Sequence, residues 1–217
     1  KVPARTLMVL YPNRTKVFNV KTWSCMGCAS CEGKRVSVGS PGSGTEILAL
    51  RILEVYGLGN DVKRERLSVA ESVNAMKDRK IDAFFWSGGL PTAAITDLAA
   101  TPGTKIRILD VADATEALNK KFGPLYVRDQ IPAKTYAGMD KPAQIFSVWN
   151  ILAVNEKMPE ATAYTIVKTL FEHKPDLVAT HKEADTLSLD YQTSAHSPLP
   201  FHPGAIRYFT EKGIKFK

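Results

Sequence analysis

A glycine-rich segment between a short strand pattern and a long apolar stretch constrains this chain more than any other feature. Residues 33–46 read Gly-Lys-Arg-Val-Ser-Val-Gly-Ser-Pro-Gly-Ser-Gly-Thr-Glu, and an apolar stretch at 47–58 follows them. Alternation of two valines with Ser37 predicts a short strand that carries Ser37 on its outer face. The helix predicted from about Ser43 to Tyr56 then begins directly after the glycines.

A helix that begins in such a turn is suited to holding an anion. Its first backbone N–H groups have no partner within the helix, and the helix dipole favours negative charge there. The residues concerned are Gly42, Ser43, Gly44 and Thr45. Their amides and two hydroxyl groups predict a binding position for a carboxylate, sulfate or phosphate. An N-capped helix that holds no ligand is the alternative interpretation.

Nucleotide-binding and nucleophile motifs do not match this first glycine turn (residues 39–45). A P-loop requires Gly-Lys-Ser or Gly-Lys-Thr, whereas Thr45 and Glu46 follow Gly44. A dinucleotide-binding fingerprint requires a third glycine where Ile47 stands. The environment of Ser43 also differs from the Gly-x-Ser-x-Gly nucleophile motif.

A second glycine turn (residues 87–91) repeats the design. Ile81–Trp86 reads as a buried strand, and Ser87-Gly-Gly-Leu-Pro91 follows it. We expect Pro91 in the first turn of a helix that continues to about Ala100, because a proline there loses no hydrogen bond.

Composition and charge exclude several classes of protein. The 217 residues include 29 basic and 22 acidic side chains, for a net charge of +7. Lys and Arg are scattered rather than interleaved with aromatic residues, so we predict no nucleic-acid partner. No apolar run approaches the roughly 18 residues of a membrane span, so we predict no direct membrane insertion. An anionic small ligand fits the charge.

Three cysteines stand at Cys25, Cys28 and Cys31. Zinc or an iron–sulfur cluster normally needs a fourth ligand, and the four histidines lie far along the chain. A local disulfide, such as one between Cys25 and Cys28, and an ordinary loop remain alternatives. We therefore predict neither a metal nor another cofactor.

Candidate catalytic residues are few. Asp82 lies within an apolar strand, where it is either a buried acid or a carboxylate that caps a neighbouring turn. Glu46 suits the first turn of a helix without a catalytic role. His202, before a Pro-Gly pair, is predicted to pack or to cap. Because the sequence offers no convincing nucleophile or general base, we predict a binding function rather than catalysis.

Strand patterns alternate with helix patterns of ten to fifteen residues, which predicts an α/β fold. We expect short strands at Leu7–Leu10 and Val17–Val20 with a turn between them, and a loop-rich segment at Gly123–Asp140. A capping box at Ser68 predicts the start of another helix. A helix over Glu160–Thr180 is expected to be interrupted at its proline.

Three separated segments carry a resemblance to a known family. Residues 33–46, 81–91 and 202–208 resemble, in order and spacing, the TAXI class of solute receptors of tripartite ATP-independent periplasmic (TRAP) transporters. The resemblance runs from about Leu7 to Gly213. It implies a type II periplasmic-binding-protein fold, in which two α/β lobes are joined by a crossing hinge.

The resemblance also implies a division into lobes. Lobe two, which carries the ligand cleft, would comprise residues 32–140. Lobe one would comprise 1–31 and 141–217, and the N-terminal part of this lobe is expected to be absent from the chain. The Ser30-Cys31 pair stands where the family usually has an acidic residue and a leucine.

The function implied by the resemblance is capture of a small organic anion, glutamate-like or another carboxylate, by a periplasmic receptor that delivers it to the membrane subunits of a TRAP permease. The ligand-binding residues implied are Gly42, Ser43, Gly44, Thr45, Trp86, Ser87, Gly88, Gly89, Pro91 and Tyr126, with Tyr136 as a further wall residue. Two alternatives remain. One is an enzyme on the same scaffold, which a cleft-facing Asp82 with a raised pKa would favour. The other is a lobe that acts as a regulatory sensor.

Overall fold

The computed structural model describes residues 3–20, 33–180 and 182–216. Cys25, Cys28 and Cys31 lie outside the described residues, so the predictions about them stay predictions. The chain forms two compact units. Unit 1 comprises residues 1–12 and 149–217, and unit 2 comprises residues 13–148.

Strands and helices alternate along the chain. The strands are β1 Ala4–Val20, β2 Arg35–Ser37, β3 Lys63–Glu65, β4 Ala83–Gly88, β5 Ile106–Ile108, β6 Tyr126–Ile131 and β7 Ala143–Asn155. The helices are α1 Gly44–Val55, α2 Val69–Lys77, α3 Ala93–Ala100, α4 Thr115–Phe122, α5 Glu160–Glu172, α6 Lys174–Thr180 and α7 Pro203–Glu211. The predicted α/β class is confirmed: one mixed sheet is accompanied by helices.

The sheet order brings the ends of two parallel strands together. Its strands run β3-β2-β4-β1-β7-β6, and β5 also pairs with β1. β2 is parallel to β3 and β4, whereas β1 is antiparallel to β4 and β5. The carboxyl ends of β2 and β4 therefore meet at one edge, where ligands of α/β proteins commonly bind. Each of these two strands is followed by one of the glycine turns.

The prediction of two short strands before residue 20 is wrong. β1 is one strand from Ala4 to Val20 and includes Pro12. A proline is compatible with a strand where its missing N–H is not needed for the ladder. The pairing of β1 with β4 begins only beyond the proline, at Arg14 opposite Gly88.

The expectation of a loop throughout Gly123–Asp140 is also wrong. β6 lies within this segment and pairs antiparallel with β7, from Tyr126 opposite Val148 to Ile131 opposite Ala143. Its middle residues are polar, so the strand does not show the alternation on which the prediction relied.

Ser37 is buried rather than outward-facing. Strands in the parallel part of a sheet are covered on both faces, so alternation in sequence does not imply an exposed side there. The Ser37 hydroxyl lies 2.7 Å from the hydroxyl of Ser72 on α2, which satisfies both groups inside unit 2.

Helix ends follow the sequence closely, with one exception. Ser43 caps α1, and Ser68 caps α2 within a complete capping box, as predicted. The helical segment after residue 160 is divided at His173, between α5 and α6. Pro91, however, precedes the N-cap Thr92 of α3 and is not in its first turn.

In unit 1, α7 packs closely on α5. A Cβ atom at Gly204 would overlap the carbonyl oxygen of Glu160, so the two backbones approach each other at a glycine. His202 caps α7, because its Nδ1 accepts a hydrogen bond from the Gly204 N–H at 3.2 Å and its Nε2 lies 3.0 Å from the Met158 carbonyl oxygen. The predicted packing or capping role of His202 is confirmed. Within the described residues, no helix is long and apolar enough to cross a membrane.

Candidate functional site

The two glycine turns are hydrogen-bonded to each other in unit 2. The Ser87 N–H donates to the Thr45 hydroxyl at 3.3 Å, and both residues are buried. The Ser87 hydroxyl lies 3.1 Å from that of Thr15 on β1. The structure therefore places the start of α1 beside the carboxyl end of β4.

The first glycine turn already holds a carboxylate of the chain itself. The Gly42 N–H donates to Glu46 Oε2 at 2.7 Å, and the Glu46 N–H donates to the Ser43 hydroxyl at 3.1 Å. The Ser43 N–H donates to the Ser40 carbonyl at 3.1 Å. Two of the amides expected to bind a ligand are thus satisfied internally.

Glu46 is fixed in this position by Arg66. Arg66 Nε lies 2.6 Å from Glu46 Oε1. The hydrogen bonds from Arg66 and from the Gly42 amide lower the pKa of Glu46, so the carboxylate is charged at neutral pH. Among the described residues, the N–H groups of Gly44 and Thr45 have no partner. These two amides are the donors that the helix N-terminus can offer to a ligand.

A buried lysine lies beneath the second glycine turn. Lys16 is fully buried on β1, opposite Trp86 in the strand register. Its ammonium group donates to the Gly88 carbonyl at 2.8 Å and lies 3.5 Å from the Gly89 carbonyl. Lys16 was not predicted as a site residue, because an isolated lysine in a strand pattern gives no signal that it is buried.

Thr92 connects the aromatic residues at this turn. Its hydroxyl accepts a hydrogen bond from Trp86 Nε1 at 3.0 Å and donates to the Gly89 carbonyl at 3.0 Å. Its N–H donates to the Tyr136 hydroxyl at 3.1 Å. The indole covers Gly88 so closely that a Cβ atom there would lie 2.8 Å from Trp86 Cζ2. A glycine at this position is therefore required by the tryptophan.

Tyr126 takes a different place from the other predicted residues. It is buried in the hydrophobic core of unit 2, where its ring packs edge-on against Phe146. Its hydroxyl accepts a hydrogen bond from Arg51 on α1 at 2.7 Å. The structure gives it these core contacts and brings Tyr136, rather than Tyr126, to the second glycine turn.

An ion pair that the sequence did not indicate lies beside the same turn. Arg14, opposite Gly88, has its Nε 3.1 Å from Asp129 Oδ2 on β6. The Ser147 hydroxyl donates to the same oxygen at 2.5 Å. Both charged side chains are about four-fifths buried, with 19% and 22% exposed. The sequence predicted a turn at Arg14 and a loop at Asp129, and neither residue was predicted to belong to the site.

Asp82 pairs with a cation instead of acting as an isolated buried acid. Its carboxylate accepts hydrogen bonds from the Arg35 backbone N–H at 2.9 Å and from the guanidinium at 2.8 and 3.1 Å. These contacts lower the pKa of Asp82, the opposite of what a general acid requires. Within the part of the chain that the structure describes, no cluster of three His, Cys, Asp or Glu residues is suited to a metal ion.

Comparison with known proteins gives the family. The chain belongs to the NMT1-like family, whose model matches residues 3–213. This match covers both units and all of the site residues described above.

Several solved structures are similar to this chain. SsuA, the periplasmic aliphatic sulphonate binding protein of Escherichia coli, is 12% identical over 97% of this chain and 59% of its own, with a TM-score of 0.44. ArtJ of Geobacillus stearothermophilus, which binds arginine, lysine and histidine, is 8% identical over 83% and 62%, with a TM-score of 0.47. AbpA of Streptococcus pneumoniae, an amino acid transporter substrate-binding protein, is 12% identical over 86% and 60%, with a TM-score of 0.42. The chain spans less than two thirds of the length of each.

Proposed function

We propose that this chain belongs to a periplasmic solute receptor of the TAXI type, which captures a small organic anion and delivers it to a TRAP permease. The observation that carries the proposal is the pairing of the two glycine turns through Thr45 and Ser87. This pairing sets the open amides of Gly44 and Thr45 beside the β4–α3 turn. Membership of the NMT1-like family is compatible with such a receptor.

Electrostatics at the site support an anionic ligand. The N-terminus of α1 carries a partial positive charge, and its open amides point out of the helix end. Lys16 adds a fully buried cationic side chain at the second glycine turn, whereas the charge of Arg14 beside that turn is paired with Asp129. Hydrogen bonds from such donors to a charged carboxylate are about twice as strong as those between neutral groups.

The proposed ligand-binding groups differ slightly from those inferred from sequence. Gly44 and Thr45 donate through their amides, whereas Gly42 and Ser43 shape the turn. Ser87, Gly88, Gly89 and Pro91 form the second wall, with Trp86 as its aromatic side. Tyr126 is retained only as a supporting core residue behind α1.

Calorimetric titration tests the binding step. The probes are L-glutamate, glutarate, succinate and methanesulfonate, which are small acids of different shape. We expect Thr45→Val, which preserves the shape but removes the acceptor of the Ser87 N–H, to weaken binding by about 10-fold or more. Thr101→Val is the matched control, since it makes the same side-chain change at the C-terminal end of α3, the end away from the second glycine turn.

The outcomes are distinct. Unchanged affinity in Thr45→Val would refute the site, and a chain that binds none of the four acids would refute anion capture. Delivery is tested by uptake of the bound acid into vesicles that contain TRAP permease subunits, with and without the receptor. Uptake that does not depend on the receptor would contradict the transport step.

A further inference from the structure

The ammonium group of Lys16 contacts the carbonyl groups at the end of β4. Lys16 is fully buried, and its ammonium group donates to the Gly88 carbonyl oxygen at 2.8 Å and lies 3.5 Å from that of Gly89. The antiparallel pairing of β4 with β1 extends to Gly88 and no further. The lysine therefore holds the backbone at the point where β4 gives way to the second glycine turn.

The direction of the Gly89 N–H group follows from this contact. A trans peptide is planar, so its C=O and N–H groups point in opposite directions. With the Gly88 carbonyl on Lys16, the Gly89 N–H points away from the lysine. N–H groups two residues apart in a strand point to the same side, and the Ser87 N–H donates to the Thr45 hydroxyl at 3.3 Å. The Gly89 N–H is therefore directed toward the start of α1.

The Gly89 N–H group is open at this position. Among the described residues it has no hydrogen-bond partner, and Gly89 is only half-buried. The open amides of Gly44 and Thr45 belong to the turn toward which it points. The Gly89 N–H thus adds a third backbone donor, from the second glycine turn, to the two donors of the first.

A cation on a carbonyl oxygen also strengthens the N–H group of the same peptide as a donor. Hydrogen bonds that share a group polarise one another, and electrostatic effects are larger where water is excluded. Lys16 has no exposed surface. Its charge therefore acts on the peptide between Gly88 and Gly89 with little screening by solvent.

We infer that Lys16 is a positioning residue of the ligand site: it orients and polarises the peptide between Gly88 and Gly89, so that the Gly89 N–H donates to the ligand carboxylate. This inference rests on the proposed function, because it adds a donor to the same site. Lys16 itself does not touch the ligand and acts only through this peptide.

Nuclear magnetic resonance of the isotope-labelled chain tests the inference at the amide itself. The probes are L-glutamate, glutarate, succinate and methanesulfonate. In the wild-type chain we expect the acid that binds to move the amide proton signals of Gly44, Thr45 and Gly89 downfield, because each N–H donates to it. In Lys16→Met the shift of Gly89 should be lost while the other two persist. The affinity should fall by about 10-fold, the effect of one hydrogen bond to a charged group.

Two further variants control for folding and for loss of charge. Lys77→Met makes the same side-chain change in the last turn of α2, where Lys77 pairs with Asp97, and we expect it to keep the wild-type affinity and shifts. Lys16→Gln keeps an N–H donor on a shorter side chain but removes the charge, and we expect it to reduce the shift of Gly89. It supplies the test if Lys16→Met does not fold, as judged by circular dichroism.

Each outcome decides the inference. A wild-type chain in which the signals of Gly44 and Thr45 move and that of Gly89 does not overturns it and leaves anion capture intact. A Gly89 shift that is equal with and without the lysine also overturns it, because the peptide then keeps its direction unaided. Equal loss of all three shifts in a folded Lys16→Met has the same consequence, since the lysine then acts on the whole site. A chain whose signals respond to none of the four acids refutes the proposed function together with the inference.

Discussion

The close contact between Trp86 and Gly88 predicts that Gly88→Ala destabilises the wild-type chain but stabilises a chain that lacks the tryptophan. Gly88 is not in the left-handed region, so an alanine there keeps an allowed backbone. The new Cβ atom would lie 2.8–2.9 Å from three indole atoms of Trp86. Gly88→Ala must therefore displace the indole, which also breaks its hydrogen bond to Thr92.

Three contributions determine how much Gly88→Ala changes the free energy of unfolding. Overpacking costs about 1–3 kcal/mol, and the lost Trp86–Thr92 hydrogen bond costs about 1 kcal/mol. Reduced freedom of the unfolded chain returns about 0.4–1 kcal/mol. We expect Gly88→Ala to lower the free energy of unfolding by about 1–4 kcal/mol in the wild-type chain. In a Trp86→Leu background the obstructing ring is gone, and the same change should stabilise by about 0.4–1 kcal/mol.

Urea denaturation followed by circular dichroism measures all four members of this double-mutant cycle. Gly59→Ala is the matched control, because no atom lies within 4 Å of a Cβ built there and its φ is ordinary. It should stabilise the chain by about 0.4–1 kcal/mol in either background. An equal cost of Gly88→Ala with and without the tryptophan would refute the argument that the indole requires this glycine.

Two other predictions concern acid stability and helix packing. Because the pKa of Asp82 is lowered in the folded chain, the stability from its pairing with Arg35 is present above its ordinary value of 3.8 and is lost as the pH falls below it. Asp82→Asn should therefore flatten the decline in melting temperature below about pH 4, and an unchanged profile there would contradict this. Gly204→Ala should destabilise unit 1 by at least about 1–3 kcal/mol, because its Cβ would overlap the Glu160 backbone. If Gly204→Ala had the same melting temperature as Gly59→Ala, this result would contradict the close approach of α7 and α5.

Local signals in the sequence predicted the helix ends because caps depend on neighbouring residues. Ser43 and Ser68 bond to amides three residues ahead, so their roles can be read from a few letters. The same locality explains why the two glycine turns were located correctly in the order of elements. Their mutual hydrogen bond joins residues 42 positions apart and was not predicted; the family resemblance implied only that both turns contribute to the ligand site.

The charged residues of the site were missed because burial is a property of the assembled sheet. Lys16 and Arg14 become buried only when β1 pairs with β4, and nothing local distinguishes them from surface residues. Asp129 lies on a strand whose middle residues are polar, so no alternation revealed β6. Conversely, Tyr126 was assigned to the ligand wall, whereas its neighbours on α1 and β7 give it core contacts.

The carboxylate of Glu46 limits how much negative charge the first glycine turn can accept. With Glu46 in place, the Gly42 amide and the Arg66 guanidinium are occupied, and a ligand finds only the two amides that follow. A change of Glu46 to a small neutral residue would release both groups at once and enlarge the anion-binding position. If the turn binds a ligand as proposed, a single substitution at Glu46 would therefore be enough to change the charge of the anion that it accepts.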